Sequence, residues 1–358
     1  VATASYKCPN CGAGLLFDPA LQKPKCDFCL SEFTIAELDA YNQNLEDQAT
    51  RTAGRDAADR PDETGAVEDH LIGYHCNSCG AEVVTEETTA ATFCYYCHNP
   101  VLLTERLSGT YRPQKVIPFA FDKDKAVAIF KNWAGKRKFV PKDFTSTSQL
   151  EKTTGLYLPH WMADYQAAID YAGTATNLRM WVAGNMEYTE HKEFAIARQG
   201  TIDVNHVHEV AIRKIDKHLI DSITPYDESL AVDFSLSYLS GFFAEKYDIL
   251  QPDVQPIVEN RVRQYATTLV QETIGAYSRV NMTRKDVNLI PKAWHYALLP
   301  AWILTYFYRG KTFIYAINGQ TGKVHGELPV DQKKLGLTSA LIAAVVLILL
   351  LLGGLLIW

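Results

Sequence analysis

The most sustained apolar pattern in the chain lies at its end, where Gly336 to Trp358 run 23 residues without a charge. As a helix such a run spans about 34 Å, enough for a bilayer core of roughly 30 Å. A fully buried core helix is the alternative, but cores rarely need so long an uncharged run. Lys333-Lys334 also stands directly before it. The pattern predicts a transmembrane helix over 336–358 that tethers a large soluble body. Its position is wrong for a signal peptide, and the N-terminus has no basic-then-apolar segment of that kind. Val1 is no start residue before processing, and the sequence leaves open whether the native chain continues past Trp358.

Upstream, the periodicity alternates between helical and extended. Asp122 to Trp133 predicts a helix, with Asp122 as cap and Ala126, Val127, Ile129, Phe130 and Trp133 as its apolar side. Ser148 to Thr154 fits one or two helical turns. Strands then dominate: Met162–Tyr171 with Thr174–Trp181 around Ala172-Gly173, and Tyr188–Arg198 with Thr201–Arg213 around Gln199-Gly200, predict two hairpins. Pro256 to Tyr277 predicts the longest helix of the body, followed by a strand over Val280–Ile290 and a hairpin about Gly310. Leu158-Pro159-His160-Trp161 with Tyr165 is echoed by Leu299-Pro300-Ala301-Trp302 with Tyr306, which suggests a duplicated β unit. The fold class expected is α+β, with an antiparallel-sheet-rich body over 111–329.

The N-terminal third carries a second repeat. Cys8-x-x-Cys11 and Cys26-x-x-Cys29 are followed, 68 residues on, by Cys76-x-x-Cys79 and Cys94-x-x-Cys97. Fourteen residues separate the inner cysteines in both copies, and all eight cysteines of the chain are used. Two such knuckles joined by a hairpin supply four corners of a tetrahedral zinc site. Glycine follows the second cysteine in both copies, at Gly12 and Gly80, where the backbone must turn sharply. The expected domains are therefore zinc ribbons over 6–34 and 73–106, with one Zn²⁺ in each. Between them, 35–72 reads as a short helix over Ala36–Ala49 and a flexible acidic linker, leaving the first ribbon free to swing. Iron in place of zinc is the alternative metal.

Charge narrows the partners. The net charge is −6, and binding two Zn²⁺ through eight thiolates would take it to roughly −10. Nucleic-acid binders carry a basic footprint, so no nucleic acid is expected. The one basic cluster is Lys131, Lys136, Arg137, Lys138 and Lys142, readable as a solvated face or as a contact for acidic lipid head groups. Eight thiols in metal patterns suit a reducing compartment, and Lys333-Lys334 agrees with the positive-inside bias, so the body is placed in the cytoplasm, beneath the cell membrane.

Catalytic motifs are not found: no GxSxG, no phosphate-binding glycine loop, no HExxH and no dinucleotide fingerprint. His206-x-His208 offers two imidazoles that share a face of a regular strand, with His191 or His218 as guesses for further ligands; ordinary surface histidines are the plainer alternative. His75 and His98 adjoin zinc ligands and suit hydrogen bonding to thiolates. Asp164 and Asp170 are too far apart along a strand to act on one bond. The chain is expected to be a membrane-tethered scaffold or adaptor, not an enzyme. A membrane-associated enzyme with its site near His206 and His208 is the second reading.

The whole arrangement resembles the bacterial membrane-anchored proteins with zinc ribbons of the transcription factor IIB type, some encoded beside a flotillin-like (SPFH) protein and a PspA-type membrane-stress protein. The residues that carry the resemblance are the two cysteine ribbons, LPHWMADY, LPAWILTYFYRGK, the turn INGQTGKVHGELP and the apolar tail. It implies ribbons that act as interaction modules, protein partners of the flotillin-like and PspA types, a hetero-oligomer, and no catalytic residues to carry over. Members that hold more than one hydrophobic helix strengthen the expectation of a longer native chain.

Overall fold

The computed structural model describes residues 3–4, 6–53, 71–76, 79–141, 144 and 146–357. The first cysteine region holds β1 (Thr3–Ala4), β2 (Leu16–Asp18), β3 (Lys23–Lys25) and α1 (Ile35–Ala53). The second holds β4 (Leu71–His75), β5 (Glu82–Glu86), β6 (Thr89–Phe93) and β7 (Pro100–Leu103). The body begins with β8 (Lys115–Val116), α2 (Lys123–Gly135), α3 (Thr147–Leu150), β9 (Thr154–Ala183), β10 (Met186–Val210), α4 (Lys217–Ser222) and β11 (Val232–Asp233). It continues with β12 (Phe243–Glu245), α5 (Gln251–Glu272), β13 (Arg279–Tyr308), β14 (Lys311–Asn318) and β15 (Val324–Gly326), and α6 (Gln332–Ile357) ends the chain's described part.

The body is mixed α+β, built on the antiparallel pairing of two 30-residue strands, β9 and β13. At about 3.3 Å per residue each has a contour of roughly 100 Å. The two echoed segments lie side by side at the heart of this pair, with Leu158 opposite Leu299. About that point the neighbours are arranged alike. β10 continues forward from His160 on β9, as β14 does from Ala301 on β13. β12 runs parallel to β9 at Leu156–Tyr157, as β8 does to β13 at Ala297–Leu298. The order strand–helix–strand–strand thus occurs twice, as β8-α2-β9-β10 and β12-α5-β13-β14, and each short first strand pairs with the other unit's long strand.

The two expected hairpins around Ala172-Gly173 and Gln199-Gly200 are one long hairpin, β9–β10, that turns at Gly184 and Asn185. Gly173 serves close approach instead of a turn. A Cβ there would lie 2.3 Å from the Asn281 carbonyl oxygen, where β13 shifts register between Met282 and Arg284. Helix α5 backs this arm, burying Val254, Val258, Val262, Ala266 and Val270 at helical spacing, and it starts five residues before the expected Pro256. Helix α2 matches its expected span, and the Asp122 carboxylate accepts the Lys125 N–H at 2.9 Å.

The largest core cluster lies where the short strands and α2 meet the β9–β13 pair. Phe119 stacks on Phe242 at 4.3 Å, and Phe130 meets Tyr315 edge-on at 4.6 Å. This core is closed by the turn after β14. Asn318 is fully buried: its Nδ2 donates to the carbonyls of Ile223 (3.0 Å) and Pro225 (3.1 Å), and its Oδ1 accepts from the N–H groups of Gln320 and Thr321. Gly319 is the residue the next position admits, since a Cβ would lie 2.6 Å from the Phe119 ring. The INGQTG segment is therefore a structural clasp between β14 and the chain at 223–225.

Helix α6 contains Gln332–Leu350, a stretch long and apolar enough to cross a membrane, and none of it is buried by the rest of the chain. Trp358 and Lys142 fall outside the described residues.

Asn318→Ala removes four hydrogen bonds and leaves buried backbone groups without partners, so it is expected to destabilise the body by about 2–4 kcal/mol. Urea unfolding followed by tryptophan fluorescence, in detergent, measures it; a change within error of zero would rule out the clasp.

Candidate metal centres

All four Cys-x-x-Cys segments fold alike. The N–H of the first cysteine is bonded by the carbonyl five residues on: Cys8 to Ala13 (2.7 Å), Cys26 to Ser31 (2.9 Å), Cys76 to Ala81 (2.8 Å) and Cys94 to Asn99 (3.0 Å). The carbonyl of that cysteine in turn accepts from the residue after the second cysteine: Gly12, Leu30, Gly80 and His98, at 2.8 to 2.9 Å. Closing so tight a loop demands left-handed backbone at that residue, and φ is +76° at Gly12, +61° at Leu30, +75° at Gly80 and +56° at His98. Glycine meets this demand without strain in the first knuckle of each pair. His98 holds the same backbone role in the last knuckle, which accounts for its position beside Cys97 without any part in ligation.

The knuckles meet in pairs. Sγ of Cys8 lies 3.5 Å from that of Cys29, and Cys11 lies 3.6 Å from Cys26. The corresponding separations in the second quartet, Cys76–Cys97 and Cys79–Cys94, are both 3.7 Å. Within each quartet all four sulfurs lie within 4.8 Å of one another. Four thiolates at about 2.3 Å from one ion in a tetrahedron are about 3.8 Å apart, so both quartets have the size and shape of a metal site. Among the described residues these two are the places where three or more ligating side chains converge. At Cys29 the Ser31 hydroxyl, 3.2 Å from Sγ, and the Ser31 N–H pull the thiol down to about 6, while Cys11 in the same quartet is raised.

Each quartet is half embedded. Cys8 and Cys26 are buried while Cys11 and Cys29 face outward; Cys76 and Cys94 are buried while Cys79 is exposed. The expectation that the first ribbon swings freely is not met. Leu15, Phe17 and Cys26 belong to the main core cluster, Phe17 N–H donates to the Ser240 carbonyl at 2.9 Å, and Gln22 Nε2 donates to the Phe119 carbonyl at 2.7 Å. Burial of these apolar side chains, worth about 1.5–3 kcal/mol each, outweighs the freedom of a tether. Helix α1 opens on a capping box, Thr34 with Glu37, and its Asp39 carboxylate accepts from Ser235 at 2.8 Å; residues 54–70 lie outside the described set. The second quartet is tied in through the sheet, since β6 pairs with β12 and β12 with β9.

Sequence reasoning missed Arg106. Its buried guanidinium donates to Thr85 Oγ1 (3.0 Å) and to the carbonyls of Glu86 and Thr89 (both 2.6 Å), closing the turn between β5 and β6. No pattern in the neighbouring sequence marks it, because two of its three acceptors are main-chain carbonyls.

His206 and His208 do not converge. A bulge between Val204 and Val207 puts His206 at φ +58°, exposed, with its N–H donating to the Asp164 carboxylate at 2.7 Å. His208 points inward, 3.0 Å from Glu228 Oε1, with the buried His160 ring 5.6 Å away. The shared face that a regular strand would provide is lost to the extra residue. Asp170 is engaged by Arg284 at 2.7 Å. His160 is a core histidine: its Nδ1 sits 3.0 Å from the Leu158 carbonyl, and burial first, then the neighbouring His208, push it down to about 3.

These features define a mixed α+β protein with two four-cysteine sites that fit a metal ion and a long apolar helix at its C-terminal end. No family model matches the chain, and no solved structure matches it. It is 31% identical over 355 residues, 98% of both chains, to the uncharacterized protein YdjG of Bacillus subtilis (strain 168), and it belongs to the same family.

Elemental analysis of the purified chain is expected to give two metal ions per molecule, and Cys76→Ser about one. One ion or fewer in the unaltered chain would contradict the geometry. A second expectation concerns pH. Unfolded histidine titrates near 6.5, above the folded value of His160, so the unfolded state gains the proton first and stability falls with falling pH. From about pH 7 to about pH 5.5 this group should cost about 1 kcal/mol, and His160→Gln should remove that share of the slope in urea unfolding.

Proposed function

We propose that the chain is a membrane-tethered scaffold that recruits partner proteins through its two zinc-held cysteine units. The observation that carries this reading is what the knuckles present outward. Phe28 is 84% and Leu30 68% exposed on the first unit, and Tyr95 is 69% and Tyr96 72% exposed on the second. Large apolar side chains held out on both units suit contact with protein, where aromatic residues dominate binding energy. Four thiolates around zinc leave no open position for substrate or activated water, so the sites support structure and contact, not hydrolysis. On this reading the chain is not an enzyme.

Helix α6 is the tether. An apolar helix of which nothing over Gln332–Leu350 is buried by its own chain needs another apolar phase, and its length matches a bilayer core. Eight thiols in metal geometry favour a reducing compartment, which places the body on the cytoplasmic side. A second exposed apolar patch at the tip of the β9–β10 hairpin, with Met180 at 63% and Val182 at 71%, gives the scaffold a further contact point far from the cysteine units. Given the resemblance set out above, flotillin-like and PspA-type proteins are the first partners to seek.

Detergent extraction of the tagged full chain, followed by mass spectrometry, should recover a stoichiometric membrane-associated protein. The triple variant Phe28→Ser, Tyr95→Ser, Tyr96→Ser should lose at least about tenfold of that recovery, on the scale of hot-spot contacts, while keeping both metal ions. Undiminished recovery would remove the knuckles from the interface, and a chain that returns alone would refute recruitment.

A further inference from the structure

The first turn of α6 is not a loose stalk. The Asp331 N–H donates to the Phe139 carbonyl at 2.7 Å, and Lys334 Nζ donates to the Val140 carbonyl at 2.6 Å. Val140 is itself buried in the main core cluster, so this pair of bonds fixes the entry of the apolar helix to the segment that follows α2. The Asp331 carboxylate is turned inward on the helix it starts, accepting from the N–H groups of Lys333 (3.0 Å) and Lys334 (3.3 Å).

That segment is preceded directly by Lys136, Arg137 and Lys138, all exposed. Among the described residues none of these three, nor Lys333, has a carboxylate partner. Arg137 lies over the half-buried Trp133 ring at 5.7 Å, which holds the guanidinium at the end of α2 without neutralising it. In a chain of net charge −6, cations without a carboxylate partner among the described residues are thus gathered where the polar body gives way to the apolar helix. Through Asp331 and Lys334, residues 139–140 are held at the helix entry, and the three cations directly precede them in the chain.

We infer that 136–138 and the first turn of α6 form one cationic footprint for the head groups of anionic phospholipid. This rests on the reading of α6 as a membrane span and adds the lipid class that the adjoining surface selects. A helix alone would leave the body free to tilt. The footprint adds a second attachment on a different element, and so sets the stance of the body on the leaflet. Its strength falls with salt, whereas the hold of the apolar helix does not.

The test uses the full chain reconstituted into vesicles of phosphatidylcholine alone, or with about 30% phosphatidylglycerol, a composition that gives an anionic surface potential. Flotation reports the anchor, and amide hydrogen exchange over 134–140 reports the footprint. The chain should float with both vesicles, and exchange over 134–140 should slow at least about threefold in the anionic ones, returning to the neutral value in about 0.5 M salt. Lys136→Gln, Arg137→Gln, Lys138→Gln should float equally well and show no such difference. Equal exchange in the two lipids with normal flotation overturns the footprint and leaves the anchor standing. Slowing by inorganic phosphate in neutral vesicles would also overturn it, by making the site one for a free anion. Failure to float in either lipid overturns the membrane reading and the footprint with it.

Discussion

The pairing of β9 with β13 is the constraint on which the rest of the structure depends. Each of the two long strands supplies an edge for a hairpin partner, β10 or β14, and for one short parallel strand, β12 or β8. Where Leu158 faces Leu299 both faces are covered, so a slip of one residue would exchange the side chains packed on the two faces and spoil both. Further along, toward Ala183, one face is covered by α5 and the other becomes solvent-exposed. The sequence follows suit by alternating Ile202 and Val204 with polar residues.

This dependence explains the placement of the cysteine units. Their hairpins are too small to bury a core of their own, so each draws on a larger surface. The first uses Leu15 and Phe17, which enter the main cluster beside Tyr157 and Phe242. The second lends β6 and β7 to the main sheet through β12. Such attachment sacrifices mobility and gains rigidity, so any partner held on the knuckles is held in a set orientation to the body.

How legible this was in the sequence follows from the range of each signal. The cysteine quartets, the Asp122 cap, the hairpin at Gly310 and the apolar tail are announced by residues within a few positions of one another, and they stand where local chemistry puts them. Gly173 misled because glycine marks both turns and close backbone approach, and only β13, over a hundred residues away in sequence, decides which. The bulge at His206 is hidden for a similar reason: what stabilises it is the Asp164 carboxylate on the neighbouring strand. The docking of the first cysteine unit was missed because Leu15 and Phe17 alternate as any small hairpin's residues do. Nothing near them reveals that Ser240 and Phe119 complete their surroundings.

The main core also joins the two ends of the proposed function. Cys8 and Cys26 belong to the same cluster of buried residues as Phe130, Val140 and Tyr315, and Val140 is where the entry of α6 is held. The first cysteine unit and the entry of α6 are therefore tied to one end of the β9–β13 pair, and the arm carries its exposed tip toward the other. Beyond Tyr165 the arm extends 18 residues to Ala183, a contour of roughly 60 Å. A change at the first quartet would act on a core that also holds the entry of α6, not on an appended module. That coupling is physical: interiors are close-packed, and two of the four ligands are themselves buried packing partners.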